Sequence, residues 1–410
     1  MDRALAGDSP AAAPSPLKSG VLPPPRGAAI GRAAGPMRIA LVTETWLPAR
    51  NGVVTRLTKT LDELARRGHE VSLLAPRGCE QGSAARIHLA PALRLPFVYG
   101  GQPWGLPWPR VASDLGSPPP DLVHVVNPVL LGWSGIRLAR RLRVPLVCSY
   151  HARVDRYAHF YHLGFAARPA RALIARAHRL ATVNLATSAS AAAEVAALTG
   201  GPVGIWRGAV DFDLFQPGRA SPALRRRLDP SGGRRHLLLY VGRLAAEKGI
   251  ENLVELARQD DLHLCLVGDG PHRPALERAF AGTHSSFMGS LQGVELAAAY
   301  ASGDLLLSPS GTETLGLGML EARACGVPVL AQRSGVSEEV LGGAPGTETT
   351  AFEDRSAALA AVRRALVARP SRDDIASDAR RRVPGWREVT GELVDHYRSA
   401  LERSARVRAA

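Results

Sequence analysis

Residues 37–75 read MRIALVTETWLPARNGVVTRLTKTLDELARRGHEVSLLA, and this stretch sets the fold class. Ile39–Val42 is an apolar run with the length of a buried strand. Asn51-Gly52 marks a turn. Leu57, Leu61, Leu64 and Ala65 then recur at helical spacing, Gly68 ends the helix, and Val71–Ala75 opens a second strand. A strand, a helix and another continuous apolar strand specify the crossover unit of a parallel sheet.

The same alternation continues outward. Leu122–Val126 and Leu146–Ser149 read as further strands, and Phe215-Gln216-Pro217-Gly218 breaks the pattern. It restarts with strand Leu237–Val241, a helix from about Ile250, strands Leu262–Val267 and Asp304–Ser308, helix Leu317–Cys325 and strand Val327–Ala331. Trp386–Arg406 reads as one last helix. Residues 1–36 are rich in Ala, Pro and Gly, contain Pro23-Pro24-Pro25 and show no apolar periodicity, so disorder is expected there; a start at Met37 is the alternative. The expected organisation is α/β: an extension over 1–36, doubly wound halves over 37–215 and 216–385, and a helix with tail over 386–410. Two such halves turn the C-terminal ends of their strands toward a shared cleft, where sheets of this kind bind ligands.

Composition narrows the classes. The chain has 410 residues, 46% hydrophobic and 21% charged, enough for two stable cores. No apolar run reaches the roughly 18 residues of a membrane span. Cys79, Cys148, Cys265 and Cys325 are far apart and form no CxxC, so neither a disulfide scaffold nor a zinc ribbon is indicated. The net charge of +14 would attract polyanions. Yet of 51 basic residues only Lys18, Lys59 and Lys248 are lysines, a skew that reads as codon bias. No recognition helix or aromatic RNA-binding signature supports a nucleic-acid partner.

Four loops carry chemistry. In Ser308–Ala322, Glu313 follows a strand and Glu321 lies on the next helix, whose N-terminus near Thr314–Leu317 suits a phosphate. A capped helix with a solvated Glu321 fits the same letters. In Val241–Gly249, Arg243 and Lys248 could place two cations on one diphosphate, or cap a solvated helix. Gly268-Asp269-Gly270-Pro271 is a tight turn that could receive a nucleobase; it is not the dinucleotide fingerprint GxGxxG. Asn51-Gly52-Val53 opens the first helix from the opposite half. Asp211-Phe212-Asp213 has metal-binding spacing but lies at the junction of the halves, so no metal ligand is assigned. Phe97, Tyr99, Trp104 and Trp108, and a basic stretch with Arg168, Arg171, Arg176 and Arg179, could face a lipid or simply pack and solvate.

Taken together, these loops resemble the family 4 retaining glycosyltransferases of the two-Rossmann (GT-B) architecture. Phe287–Gly293 with Glu295-Leu296 and Ala299–Asp304 is similar to the sulfoquinovosyl-diacylglycerol synthase branch, neighbour to the GDP-mannose-dependent mannosyltransferases. The resemblance implies an acceptor-binding first half and a donor-binding second half. It implies a UDP- or GDP-sugar donor, no further cofactor, and transfer to a hydroxyl of a membrane lipid of diacylglycerol or phosphatidylinositol-mannoside type. A soluble acceptor such as an inositol phosphate or natural product, and a non-catalytic sugar-nucleotide regulator, are the alternatives. The implied place is the cytoplasm, at the inner face of the plasma membrane; the oligomeric state stays open. By the same resemblance His151, Arg243, Lys248 and Glu313 are catalytic. Gly52, Gly268, Gly270, Leu291, Thr314, Leu315, Gly316 and Glu321 hold the donor. Trp46, Asn51, Tyr150 and Tyr157 face the acceptor. The chain departs from the family at Ala209, where a glycine usually precedes Val-Asp, and just after His151, at Ala152.

Overall fold

The computed structural model describes residues 35–49, 51–78, 84–94, 103–152, 160, 164–368 and 370–409. The first lobe is a parallel sheet of seven strands: β1 (Arg38–Thr43), β2 (Glu70–Pro76), β3 (Arg86–Ala90), β6 (Leu122–Val126), β7 (Leu146–Tyr150), β8 (Val183–Ala186) and β9 (Val203–Ile205). Their spatial order is β3-β2-β1-β6-β7-β8-β9, and a small hairpin of β4 (Ala92–Arg94) and β5 (Pro103–Gly105) stands beside it. The second lobe is a six-stranded parallel sheet in the order β12-β11-β10-β13-β14-β15. Its strands are β10 (His236–Val241), β11 (Leu262–Val267), β12 (Ser285–Gly289), β13 (Leu305–Ser308), β14 (Val329–Gln332) and β15 (Thr347–Thr350).

Register places Ile39 between Val71 and Leu122 in one sheet, and Leu239 between Cys265 and Leu306 in the other. Helices cover both faces of each sheet, so central strands read as unbroken apolar runs. β6 is buried throughout, including His124 at its centre. Strand order reverses between β1 and β6 and again between β10 and β13. Chain leaving these adjacent strands diverges and opens a crevice at their C-terminal ends.

Two elements differ from expectation. The helix expected from about Ile250 is two 3₁₀ turns, Ala246–Lys248 and Ile250–Leu253, followed by the α-turn Val254–Ala257. Gly249 between them is left-handed (φ 62°) and lies against the Pro309 carbonyl. The strand expected over Val327–Ala331 begins at Val329, because Gly326 (φ 72°) and Pro328 turn the chain first. The last helix, expected over Trp386–Arg406, runs Trp386–Ala409 and packs on the first lobe. Val389, Leu393, Val394 and Tyr397 are buried in the core of the first, with Ile39, Leu57, Leu61 and Leu185. The chain therefore crosses between lobes twice. The two crossings lie side by side, bridged by the Val210 N–H donating to the Pro384 carbonyl (3.1 Å).

The outward crossing is clamped by a buried cation. Arg56 lies on the inner face of helix Gly52–Arg66, fully buried, with its guanidinium 4.4 Å from the Trp206 ring centroid. One Nη donates to the Trp206 carbonyl at 2.7 Å and the other to that of Arg207. Burial draws its pKa down to about 9, still charged at neutral pH. Arg56→Lys keeps the charge but loses the fork that spans both carbonyls. It should cost about 2–3 kcal/mol, read as a lowered denaturation midpoint; an unchanged midpoint would dismiss the clamp.

Candidate active site

The two crevices face each other across a cavity of about 670 Å³ lined by both lobes. Loops after β1 and β6 supply Glu44, Asn51 and Asn127; loops after β10 and β13 supply Arg243, Lys248 and Glu313. Gly52 stands where the lobes meet: a methyl group there would lie 3.6 Å from Leu317 Cδ1 and 3.9 Å from Leu315 Cδ2.

Lys248 and Glu313 form the electrostatic centre of the second lobe's wall. Lys248 Nζ lies 3.0 Å from Glu313 Oε2. The other oxygen of Glu313 accepts from the backbone N–H groups of Thr314, Leu315 and Gly316 at 3.2–3.3 Å. Those amides belong to the loop that leads into helix Leu317–Ala324, whose N-cap, Gly316 (φ 72°), offers no side-chain cap. Burial would raise the carboxyl pKa, but Lys248 and these N–H groups outweigh it and hold the value at about 2. The amides expected to hold phosphate thus donate to the side chain of Glu313. Arg243 pairs closely with the buried Glu247, and Tyr240 Oη donates to the Arg243 carbonyl at 2.9 Å.

Glu321 lies one turn into that helix. Its partner is Tyr300, whose hydroxyl donates to Oε2 at 3.1 Å. Burial dominates here and pushes the carboxyl up to about 7, with the Tyr300 hydrogen bond pulling the other way. Gly268 and Leu291 also line the cavity. Gly268 (φ 144°) is dictated by packing: a Cβ would stand 1.9 Å from the Gly242 carbonyl oxygen.

On the first lobe's wall, His151 is buried and lines the cavity. Its Nε2 lies 2.8 Å from Ser149 Oγ, its ring meets Trp206 edge-on at 5.2 Å, and its carbonyl accepts from Thr314 Oγ1 at 2.6 Å across the cleft. Thr187 Oγ1 donates back to the Thr314 carbonyl at 2.5 Å. Burial first, then Arg56, lowers the His151 pKa well below its usual value, so the ring is neutral.

Several sequence expectations change. Gly270 does not line the cavity: its missing side chain admits the Leu244 carbonyl, 2.2 Å from where a Cβ would be. Trp46 and Tyr150, expected to face the acceptor, are core residues; Trp46 is 1% exposed, and Tyr150 packs edge-on against His178. Asn51 lines the cavity, but its Oδ1 caps the first helix, accepting from Val53 and Val54 N–H at 3.0 Å each. Tyr157 lies outside the described residues, as do Phe97 and Tyr99. Asp211 is 2.9 Å from Lys59 Nζ. Among the described residues no group of three or more His, Cys, Asp or Glu is placed to hold a metal ion.

Two wall residues escaped the sequence reading. Glu44 is half-buried and accepts from the N–H groups of Val129, Leu130, Leu131 and Gly132 at 2.8–3.1 Å, capping helix Gly132–Leu142 from a distant loop. Asn127 is left-handed (φ 53°), and its Oδ1 accepts from the His151 and Ala152 N–H groups at 3.2 and 3.0 Å, fixing the turn that carries the histidine. The signal for Glu44 was a lone acid after the first strand. Asn127 left no signal beyond asparagine's tolerance of positive φ.

Known proteins resemble this chain in sequence and fold. Residues 50–214 match the Glycosyltransferase Family 4 model and residues 235–368 the Glycosyl transferases group 1 model. A GDP-mannose-dependent alpha-mannosyltransferase from Mycolicibacterium smegmatis is 37% identical over 376 residues, spanning 90% of this chain and 98% of that one. The sulfoquinovosyl transferase of Arabidopsis thaliana is 32% identical, over 75% of this chain and 61% of its own. Among solved structures, sucrose-phosphate synthase from Thermosynechococcus elongatus superposes with a TM-score of 0.70 at 19% identity, over 89% of this chain and 99% of that one. Anabaena HepE in complex with UDP and glucose gives 0.67 at 17%, over 88% and 98%. The fold is the two-Rossmann GT-B architecture. Matched in both lobes by glycosyltransferase models, and over nine-tenths of its length by a 37% identical glycosyltransferase, the chain belongs to glycosyltransferase family 4 and is an enzyme of the glycosyl-transferring class.

Proposed function

We propose that the enzyme is a retaining mannosyltransferase that takes mannose from GDP-mannose and delivers it to a lipid hydroxyl at a membrane surface. The observation that carries the reading is the Lys248–Glu313 pair set against three backbone N–H groups. A cation beside a helix N-terminus is built for a diphosphate. The donor's diphosphate takes the N–H groups and the two cations. Glu313, displaced from these N–H groups, turns to the hydroxyls of the transferred sugar. The mannosyltransferase at 37% identity supports the choice of donor.

The chemistry follows from charge. The transition state gathers positive charge on the sugar and negative charge on the leaving phosphate. Lys248, Arg243 and the helix N-terminus stabilise the latter without reorganising. The acceptor hydroxyl approaches from the face the phosphate leaves, and a phosphate oxygen takes its proton. The C–O bond to phosphate breaks, the new glycosidic C–O bond forms on the same face, and configuration is retained. No carboxylate nucleophile is needed, in contrast to most retaining hydrolases. Glu321 accepts from the ribose hydroxyls, and His151 lies beside the sugar.

A lipid acceptor is favoured by the surface of the first lobe. Helix Gly164–Arg179 exposes Arg168, Arg171, Arg176 and Arg179, and Phe160 and Phe165 are exposed beside them, Phe165 by 81%. Basic and aromatic side chains together suit an anionic bilayer. No helix among the described residues is long and apolar enough to cross a membrane. A relative named for phosphatidylinositol dimannoside, 30% identical over 82% of this chain, points to the same acceptor class.

Three outcomes are expected. Lys248→Ala should lower kcat by roughly 10²–10³-fold in enzyme that remains folded; wild-type turnover would remove the lysine from the diphosphate. Because burial pushes the Glu321 carboxyl up to about 7, GDP-mannose should bind more tightly as pH rises from 6 to 8 and the carboxylate forms. Glu321→Gln should flatten that dependence in calorimetry, and an equal slope in both proteins would refute the ribose contact. The enzyme should co-sediment with anionic vesicles at low salt and release at high salt; no binding at low salt would favour a soluble acceptor.

A further inference from the structure

Four side chains form a buried hydrogen-bonded line from the last helix to the cleft. Tyr397 Oη lies 2.8 Å from His124 Nδ1, His124 Nε2 lies 2.8 Å from Ser149 Oγ, and Ser149 Oγ lies 2.8 Å from His151 Nε2. The line ends at His151 Nδ1, a buried atom with no hydrogen-bond partner among the described residues. All four residues are 4% exposed or less. Burial draws the pKa of His124 down to about 3 and that of His151 well below its usual value, so both rings are neutral and each carries one proton.

The direction of the line follows from counting protons. A hydroxyl donates once, and a neutral imidazole donates from one nitrogen and accepts at the other. In the first arrangement Tyr397 donates to His124 Nδ1, His124 Nε2–H to Ser149, and Ser149 to His151 Nε2. One group is then unmatched, a proton on His151 Nδ1. In the reverse arrangement His151 donates to Ser149, Ser149 to His124, and His124 to Tyr397. Two groups are then unmatched: the Tyr397 hydroxyl proton, deep in the core, and the bare Nδ1 of His151. A third arrangement, with both imidazoles donating to Ser149, strands the serine proton and again His151 Nδ1. An unmatched polar group far from water is costly, so the first arrangement wins.

We propose that Tyr397 is a positioning residue which, through His124 and Ser149, locks His151 as an Nδ1–H donor in the cleft wall. The histidine then meets an oxygen acceptor, a hydroxyl oxygen of the transferred sugar, and cannot serve as a base. This rests on the reading that places His151 beside the sugar. The line makes the last helix, which lies outside every catalytic loop, part of the site.

The test separates the two readings. In ligand-free enzyme labelled with ¹⁵N-histidine, His151 should show a protonated Nδ1 and an unprotonated Nε2. Tyr397→Phe removes the anchoring donor and Ser149→Ala cuts the line; in both, the His151 signals should move toward the Nε2-protonated form favoured by free imidazole. Turnover of GDP-mannose should fall about fivefold in kcat in each, the worth of one hydrogen bond, with donor KM little changed. An unprotonated Nδ1 in the wild type overturns the lock, as does a wild-type tautomer kept in both variants. Expected tautomers with kcat unmoved overturn the positioning role, by removing His151 from the sugar.

Discussion

Parallel strands cannot be joined by a tight turn; each must be followed by a crossover that returns the chain to the same end of the sheet. All strand exits therefore gather along one edge, and the loops leaving the two central strands must part. In this enzyme that constraint operates twice, at β1/β6 and at β10/β13. Glu44, Asn127, Lys248 and Glu313 stand at those four exits. The site needs no special insertion. It is the unavoidable gap in two doubly wound sheets, with polar side chains placed where backbone donors are already exposed.

The site is also electrostatically closed. The carboxylates of Glu247 and Glu313 answer Arg243 and Lys248, and Glu44 and Glu313 each terminate the N-terminus of a helix that begins at the cleft. A carboxylate carries the charge but not the reach of a diphosphate. It keeps cations and N–H groups oriented inside a cavity where an unpaired charge would be expensive, and it can be exchanged for a dianion at little cost in pairing. Glu313 and Glu321, eight residues apart, are driven in opposite directions by their surroundings. One sits against a cation and a helix terminus; the other has only a phenol and burial.

The alternation of apolar runs and helical spacing disclosed the central strands, because strands buried on both faces carry a strong signal. Edge strands such as β12 and β15, only partly buried and mixing Ser, Thr, Gly and Glu, did not stand out. Residues that act through local spacing were legible: Lys248 and Glu313 lie in short loops between a strand and a helix. Residues that act through the tertiary fold were not. Glu44 caps a helix 88 positions away, and Tyr397 meets His124 across 273 positions. No periodicity encodes such pairs. Trp46 and Tyr150 misled for a related reason. An aromatic next to a site loop is as useful for packing the floor beneath it as for touching a substrate.

The return of the last helix to the first lobe bears on how the molecule is made. Trp386, Val389, Leu393, Val394, Tyr397 and Ala400 belong to the same core as Met37, Ile39 and Leu41. The lobe that emerges first from the ribosome keeps part of one face of its sheet uncovered while the whole second lobe is synthesised. That second lobe has its sheet and both its own cores complete before the last helix appears. The order of synthesis and the order of completion are thus inverted. The first lobe spends the longer time with apolar surface exposed, and in the nascent chain it is the part most in need of chaperones.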